Sequence, residues 1–121
     1  MEGATLGLAY GLRRFADLGL TPTEIRLTGG GSNSAVWRQI SADAFGVPVV
    51  GLATAEGASL SGAIQAAHVA GLGTYRDLCG RLVELDESTR CDPDPDLADL
   101  YREKLDTQMA LTGTLKDGGH L

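Results

Sequence analysis

The sequence predicts an α/β fold in which a short parallel β-α-β sheet is packed with helices, and three patterns lead to that prediction. Residues 24–28 alternate polar and apolar side chains, as a short strand does. A glycine run, residues 29–31, follows directly, and a helical repeat of apolar residues then continues to Gly46. The segment 47–50 is rich in valine and predicts a second strand, with Pro48 at its margin. Two strands joined by one helix are expected to be parallel, with a right-handed crossover.

The helix between the two strands is expected to begin at a cap formed by Ser32 or Asn33. Its predicted apolar face carries Val36, Trp37, Ile40 and Ala44, and its predicted polar face carries Arg38, Gln39 and Asp43.

Further helices are predicted before and after this unit in the sequence. Residues 3–18 have an apolar stripe at helical spacing, and a third helix with many small residues runs from the loop 54–57 to about Ala70. Residues 86–96 are acidic and contain prolines, so we expect a surface loop, and its end at Asp94-Pro95-Asp96 is typical of a helix start. The stripe of the first helix is Leu8, Leu12, Phe15 and Leu18, and that of the last helix is Leu97, Tyr101, Leu105 and Met109.

Length and composition limit the functional classes. A chain of 121 residues predicts one domain, which we place at residues 1–112, followed by a flexible tail at 113–121. The net charge of −6 argues against a nucleic-acid partner, because such binding depends on basic residues. Neither a signal peptide nor a membrane span is evident, so we expect a soluble cytoplasmic protein with no membrane partner. Cys79 and Cys91 lie in no CxxC pattern and near no histidine, so no metal site is predicted.

The glycine run is the strongest candidate for a binding site. Glycine accepts positive φ and lets a ligand approach the backbone, and the first turn of the following helix offers free N–H groups. The candidate residues are Gly30, Gly31, Ser32 and Asn33. Two alternatives stay open: a tight turn without a ligand, and a dinucleotide site, although the third glycine of that motif is replaced by Ser34.

Other residues with chemical potential are interpreted as structural. Asp17, Asp43 and Glu56 are expected to be helix caps or solvated carboxylates, and His68 and His120 lack an obvious partner. Cys79 is expected to be a buried thiol. The acidic loop 86–96 does not have the spacing of a calcium-binding EF-hand.

An ordered series of short motifs resembles the C-terminal domain of the FGGY carbohydrate kinases. The motifs are Thr28-Gly29-Gly30-Gly31-Ser32, Trp37-Arg38-Gln39, Ala42-Asp43, Gly46-Val47-Pro48-Val49 and Glu56-Gly57-Ala58-Ser59-Leu60. They lie within residues 1–110, and the chain looks most like the members of the family that phosphorylate xylulose. The third helix departs from the family pattern, because Ser59-Leu60-Ser61-Gly62-Ala63 stands where Ala-Leu-Gly-Ala-Ala is common.

The resemblance implies part of an actin-like ATPase (RNase H-like) fold and an ATP-dependent phosphorylation of a ketopentose such as D-xylulose. It implies that Gly30 and Gly31 lie against the nucleotide, that Ser32 and Asn33 offer polar contacts, and that Trp37, Gln39 and Asp43 are structural. ATP and Mg²⁺ are the implied cofactors. The catalytic aspartate, the phosphate-binding turns and the sugar contacts belong to an N-terminal half with no counterpart here, so the chain has no catalytic residue and should be inactive alone.

Two hypotheses from different classes follow. The chain is either the ATP-binding half of a sugar kinase, or a non-catalytic interaction module that buries its exposed surface in a homo-oligomer. Titration with ATP distinguishes them, because only the first predicts binding that a substitution in the glycine run abolishes.

Overall fold

The computed structural model describes residues 1–54 and 56–120, which form five α-helices and a three-stranded sheet. The helices are α1 (Glu2–Asp17), α2 (Ala35–Phe45), α3 (Gly57–Val69), α4 (Tyr75–Leu82) and α5 (Ala98–Asp117). The strands are β1 (Ile25–Leu27), β2 (Val49–Leu52) and β3 (Leu85–Cys91). Two short 3₁₀ turns, Gly30–Asn33 and Pro95–Leu97, precede α2 and α5.

The predicted parallel β-α-β unit is confirmed. β1 and β2 are parallel neighbours, with Ile25 opposite Val49 and Leu27 opposite Gly51. Pro48 stands just before β2, where its missing N–H is not needed, and its carbonyl accepts the N–H of Ile25 at 2.9 Å. The glycine run therefore lies at the carboxyl end of β1.

The expected acidic loop at residues 86–96 is wrong for its first half, because β3 pairs with β2 in antiparallel orientation. The register shifts between Val49 and Gly51, and Thr89 bridges that irregularity: its Oγ1 accepts the Gly51 N–H at 2.8 Å. Pairing with a neighbouring strand overrides the weak strand propensity of this acidic segment. The expected helix start is confirmed, since Asp94 caps the 3₁₀ turn that begins at Pro95.

The predicted end of α2 is confirmed and its predicted beginning is wrong. Gly46 ends the helix in the left-handed conformation, with φ of 68°. The cap is Ser34, whose side chain accepts the Trp37 N–H, whereas Ser32 and Asn33 belong to the preceding 3₁₀ turn. The predicted faces also differ, because Asp43 is buried and Val36 is exposed.

The main core lies between α1 and α5, and α2 packs against both helices. Tyr101 and Leu105 of the predicted α5 stripe are buried there against Leu6 and Ala9 of α1. The first predicted helix corresponds to α1, but most of its apolar stripe points away from this core. Leu8, Phe15 and Leu18 are 56%, 53% and 76% exposed, respectively.

The third predicted helix corresponds to α3, and it packs mainly against α4. Ile64 is buried, whereas the small residues Ala63 and Ala66 are exposed. Sequence reasoning missed α4. Its beginning carries a complete capping box, in which the side chains of Thr74 and Asp77 bond to each other's backbone N–H groups.

The last helix continues to Asp117, past Gly113, where the sequence analysis placed the start of a flexible tail. The flexibility of the tail stays a prediction. Ala55, in the expected loop 54–57, and Leu121, at the end of the expected tail, lie outside the described residues. Within residues 1–54 and 56–120, no helix is both long and apolar enough to cross a membrane.

Candidate functional site

The glycine run forms a sharp turn between β1 and α2. Gly29 has φ of 84°, a conformation that side-chain-bearing residues rarely adopt, and the 3₁₀ turn begins directly after it. Ser32 closes the turn, since both its N–H (3.0 Å) and its Oγ (2.7 Å) donate to the Gly29 carbonyl. Arg38 holds the outgoing backbone, donating from Nη1 to the Ser32 carbonyl at 2.6 Å and from Nε to the Thr89 carbonyl at 3.0 Å.

The candidate binding residues differ in what they can offer a ligand. Gly30 faces open space, because a Cβ built on it meets no atom within 4 Å, and Asn33 is exposed. A Cβ on Gly31 would lie 1.6 Å from Cζ3 of Trp37, so that glycine makes room for the tryptophan. Ser32 is buried and bonded within the turn. The structure therefore leaves Gly30 and Asn33 as the accessible members, and gives Gly31 and Ser32 a supporting role.

A cavity of about 460 Å³ opens where β1 and β2 end. Thr28, the residue before the glycine run, and Leu52, the last residue of β2, form its floor, and α3 and α4 form its sides. Gly57 lets α3 begin against the floor, since a Cβ there would lie 2.3 Å from Oγ1 of Thr28. The side walls are lined by Gly57, Leu60, Ser61, Ile64, Gln65, Tyr75, Cys79 and Val83.

The cavity suits an uncharged group better than a charged one. Its walls are mostly apolar and its volume lies within the range of about 300–1,000 Å³ that is usual for small-molecule sites. Its lining includes no Lys, Arg, Asp or Glu side chain. The residues therefore fit an adenosine group, but they supply neither the cations that hold phosphates nor carboxylates for Mg²⁺. Among the described residues, no cluster of three or more His, Cys, Asp or Glu side chains could hold a metal ion.

The carboxylates considered from the sequence serve as structural groups. Asp17 pairs with Arg14 at the end of α1, at 3.1 Å. Asp43 is buried, and its Oδ1 accepts from Gln39 Nε2 at 2.8 Å and from the Asp94 N–H at 2.9 Å, which ties α2 to the segment before α5. Asp17 thus lies at a helix end as expected, whereas Asp43 is buried rather than solvated. Glu56 stands at the N-cap position of α3, where its exposed side chain makes no capping hydrogen bond.

Two expectations near the cavity need correction. His68 has a structural role that the sequence did not indicate, because its Nδ1 lies 2.9 Å from the Gly73 carbonyl and its ring packs on Tyr75 with centroids 4.0 Å apart. Cys79 was expected to be buried, but it is exposed on α4 and lines the cavity. Both cysteines are free thiols.

Comparison with known proteins identifies the family of this domain. A model of the FGGY family of carbohydrate kinases, C-terminal domain, matches residues 1–70. The chain belongs to this family. The FGGY chain is 45% identical to a xylulose kinase of Haemophilus influenzae over 93 residues, which are 77% of this chain and 19% of that protein. It is 33% identical to an autoinducer-2 kinase of Escherichia coli over 111 residues, which are 91% of this chain and 21% of that protein.

The structural comparison agrees. The FGGY chain superposes on the crystal structure of a xylulose kinase from Rhodospirillum rubrum with a TM-score of 0.74 and 27% identity, over 99% of this chain and 24% of that chain. The expected partial actin-like ATPase fold is confirmed. The chain spans about a fifth to a quarter of the length of these relatives.

The sequence analysis of this FGGY chain missed the side walls of the candidate site. They come from α3, which was predicted but not assigned to a site, and from α4, which was not predicted. A signal for α4 was present. Thr74-x-x-Asp77 has the spacing of a capping box, and Leu78 and Leu82 follow at helical spacing. Tyr75 and Cys79, one turn apart on that helix, could therefore have been placed on one face.

Proposed function

We propose that this chain forms the nucleotide-side wall of an ATP-dependent kinase that phosphorylates a ketopentose such as D-xylulose. The observation that carries the proposal is the apolar cavity at the carboxyl ends of two parallel strands, which is lined by Thr28, two residues before the open backbone of Gly30. Ligands of α/β folds bind at this edge of the sheet. The 45% identity to a xylulose kinase favours xylulose over other sugars.

The residues of the chain would bind and orient the nucleoside rather than carry out chemistry. The side chains of Leu60, Ile64 and Val83 exclude water from the base, while Gly30 lets the ligand approach the main chain and Asn33 offers an exposed polar contact. ATP, when bound, supplies the phosphoryl group. Ser32 and Gly31 keep the turn in shape, through the bonds to Gly29 and the packing of the indole.

We propose that the remaining machinery lies in a part of the kinase outside this chain. Phosphoryl transfer requires positioning and charge stabilisation around the phosphates, and the cavity lining contains no cation or carboxylate for that task. An N-terminal domain would supply the catalytic base, the sugar contacts and the site for ATP phosphates with Mg²⁺. The chain alone should then be inactive and bind nucleotide weakly.

The extent of the domain is also a proposal. The family model matches residues 1–70, and α5 packs on α1 through Tyr101 and Leu105, which supports a single unit that reaches to about residue 112. We place the protein in the cytoplasm, because the proposed reaction consumes ATP.

Isothermal titration of the chain with ATP, adenosine and tripolyphosphate tests the proposal. Because the cavity contacts only the nucleoside, we expect ATP and adenosine to bind with similar weak affinity and tripolyphosphate not to bind. Gly30→Leu should weaken ATP binding about tenfold or more, since it adds bulk at the open backbone. Gly62→Leu is the matched control, because Gly62 also faces open space but lies on α3, away from the glycine run.

Filling the cavity provides an independent variant. Ser61→Leu adds an apolar side chain to the lining and should also weaken adenosine binding, whereas Ser59→Leu on the exposed surface of the same helix should not. Equal affinities of all four variants, or tighter binding of tripolyphosphate than of adenosine, would contradict the proposed site. With the N-terminal domain of a xylulose kinase added, ADP formation that depends on D-xylulose would support the reaction, and a stable but inactive complex would count against it.

A further inference from the structure

The glycine run, residues 29–31, has no side chains to hold its backbone, so its shape depends on contacts from neighbouring residues. Glycine is the residue with the greatest backbone freedom, and a Cβ on Gly30 would meet no atom within 4 Å. Ser32 closes one side of the turn, because its N–H and its Oγ both donate to the Gly29 carbonyl. The other side, at the carbonyl of Ser32, is held by a residue of α2.

Arg38 makes this second contact. Its Nη1 donates to the Ser32 carbonyl at 2.6 Å, and its Nε donates to the Thr89 carbonyl of β3 at 3.0 Å. The side chain is half-buried, and within residues 1–54 and 56–120 no carboxylate forms an ion pair with it. The charge of the guanidinium is therefore directed at two main-chain oxygens, and hydrogen bonds from a charged donor are stronger than those between neutral groups.

Thr89, the second acceptor of Arg38, is itself fixed to the sheet. Its Oγ1 accepts the N–H of Gly51 at 2.8 Å and donates to the Asp86 carbonyl at 2.6 Å. Gly51 belongs to β2, and a Cβ there would lie 2.9 Å from the same oxygen, so the two strands fit closely at this point. Arg38 thus ties the glycine run to the paired strands β2 and β3, and not only to its own helix.

Holding the Ser32 carbonyl also fixes the residue that follows. Ser32 and Asn33 share one trans peptide bond, and because that unit is planar, a held carbonyl sets the direction in which the chain continues to Asn33. Asn33 is the exposed polar residue of the turn, and Gly30, the open glycine, lies between Gly29 and Ser32. Both accessible residues of the candidate site are therefore next to backbone groups that Ser32 and Arg38 hold.

We propose that Arg38 is a positioning residue for nucleoside binding, which prepares the glycine run for the ligand without touching the ligand itself. This inference rests on the proposed nucleotide function of the site. A backbone that is already held in its bound shape loses less conformational entropy when the ligand binds, so the affinity is higher. The planar guanidinium offers two donor nitrogens in a fixed arrangement, whereas lysine offers one, so lysine should replace Arg38 only in part.

Titration of Arg38 variants with adenosine tests this role. Arg38→Met keeps an unbranched side chain but removes both hydrogen bonds, and should weaken adenosine binding about tenfold. Arg38→Lys keeps the charge, should bind about threefold more weakly, and covers the case in which Arg38→Met fails to fold. Arg102→Met, on the exposed surface of α5, is the matched control and should leave the affinity unchanged. Leu105→Ala should lower the urea midpoint but not the affinity of the folded chain, which separates lost stability from lost positioning.

Amide resonances give a second measurement that needs no ligand. In ¹H–¹⁵N spectra of the free chain, Arg38→Met should shift or broaden the signals of Gly30 and Asn33, and Leu105→Ala should not. If the chain binds adenosine but Arg38→Met binds it equally well, or leaves those signals unchanged, the role of Arg38 is overturned and the proposed nucleotide site stands. If the signals respond as expected but the chain binds no adenosine, the proposed function is overturned, and this role with it.

Discussion

Replacing Gly31 with alanine should destabilise the protein through Trp37, with or without a ligand. The added Cβ would lie 1.6 Å from Cζ3 and 2.2 Å from Cε3 of the indole, so the ring must move. The ring is also held by a hydrogen bond, since its Nε1–H donates to Oγ1 of the fully buried Thr5 at 2.8 Å. Any displacement that relieves the overlap weakens this contact between α2 and α1.

The size of the effect follows from these two contributions. Overpacking a filled site costs about 1–3 kcal/mol, and a lost side-chain hydrogen bond costs about 1 kcal/mol. We therefore expect Gly31→Ala to lower the free energy of unfolding by about 2–4 kcal/mol, a large part of the roughly 5–15 kcal/mol that is usual for a domain. Gly30→Ala adds the same methyl group where no atom lies within 4 Å, and should change stability by less than about 0.5 kcal/mol.

Urea unfolding followed by tryptophan fluorescence measures the free energy of unfolding of both variants, because Trp37 is the only tryptophan in the chain. The Gly31→Ala spectrum of the folded state should also shift, as the indole moves towards solvent. Equal stability of the two variants would refute the conclusion that Gly31 is required for tryptophan packing. It would return the residue to the purely ligand-facing role that the resemblance implies.

Three further predictions concern stability. Asp43→Ala should lower the free energy of unfolding by about 1–3 kcal/mol in urea titrations, because it leaves the Asp94 N–H without its buried acceptor. The hydrogen bond from Arg90 holds the pKa of Glu24 below its ordinary value. The contribution of Glu24 to stability is therefore complete above its unfolded pKa and is lost as the pH falls through the lowered folded value. Glu24→Gln should flatten this decrease in stability towards acid pH. Burial raises the pKa of Tyr101 to about 12. The difference in ultraviolet absorption between the protein and Tyr101→Phe should therefore show phenolate formation near that pH. The contribution of the protonated Tyr101 to stability should be lost as the pH rises towards the same value.

Local chemistry explains why part of the fold could be predicted. Gly46 ends α2 because glycine accepts the left-handed conformation, and Pro48 marks a strand margin because it lacks an N–H. The stripe through Tyr101 and Leu105 identifies the buried face of α5. Such signals depend on a residue and its near neighbours in the chain, so they can be read without knowing the fold.

Long-range contacts explain why the rest could not. The acidic segment around Thr89 becomes a strand because that side chain bonds to the Gly51 N–H of a neighbouring strand. The stripe predicted α1 but does not mark its buried face, since Leu8 and Phe15 are exposed while Thr5 is fully buried. For the candidate site, the sequence identified the turn at Gly30, but α4 was not recognised and the cavity was therefore not foreseen.

The sequence by itself determined that a glycine turn joins a strand to a helix at the carboxyl edge of a parallel pair of strands. It could do so because glycine, proline and the spacing of apolar residues influence the backbone within a few residues of themselves. It also carried enough ordered motifs to indicate the FGGY family. Tertiary structure alone decided which glycine stays open and which makes room for Trp37, since the two differ only in what lies beside them. It likewise decided which face of α1 is buried, because burial depends on the partner that a face meets and not on hydrophobicity alone.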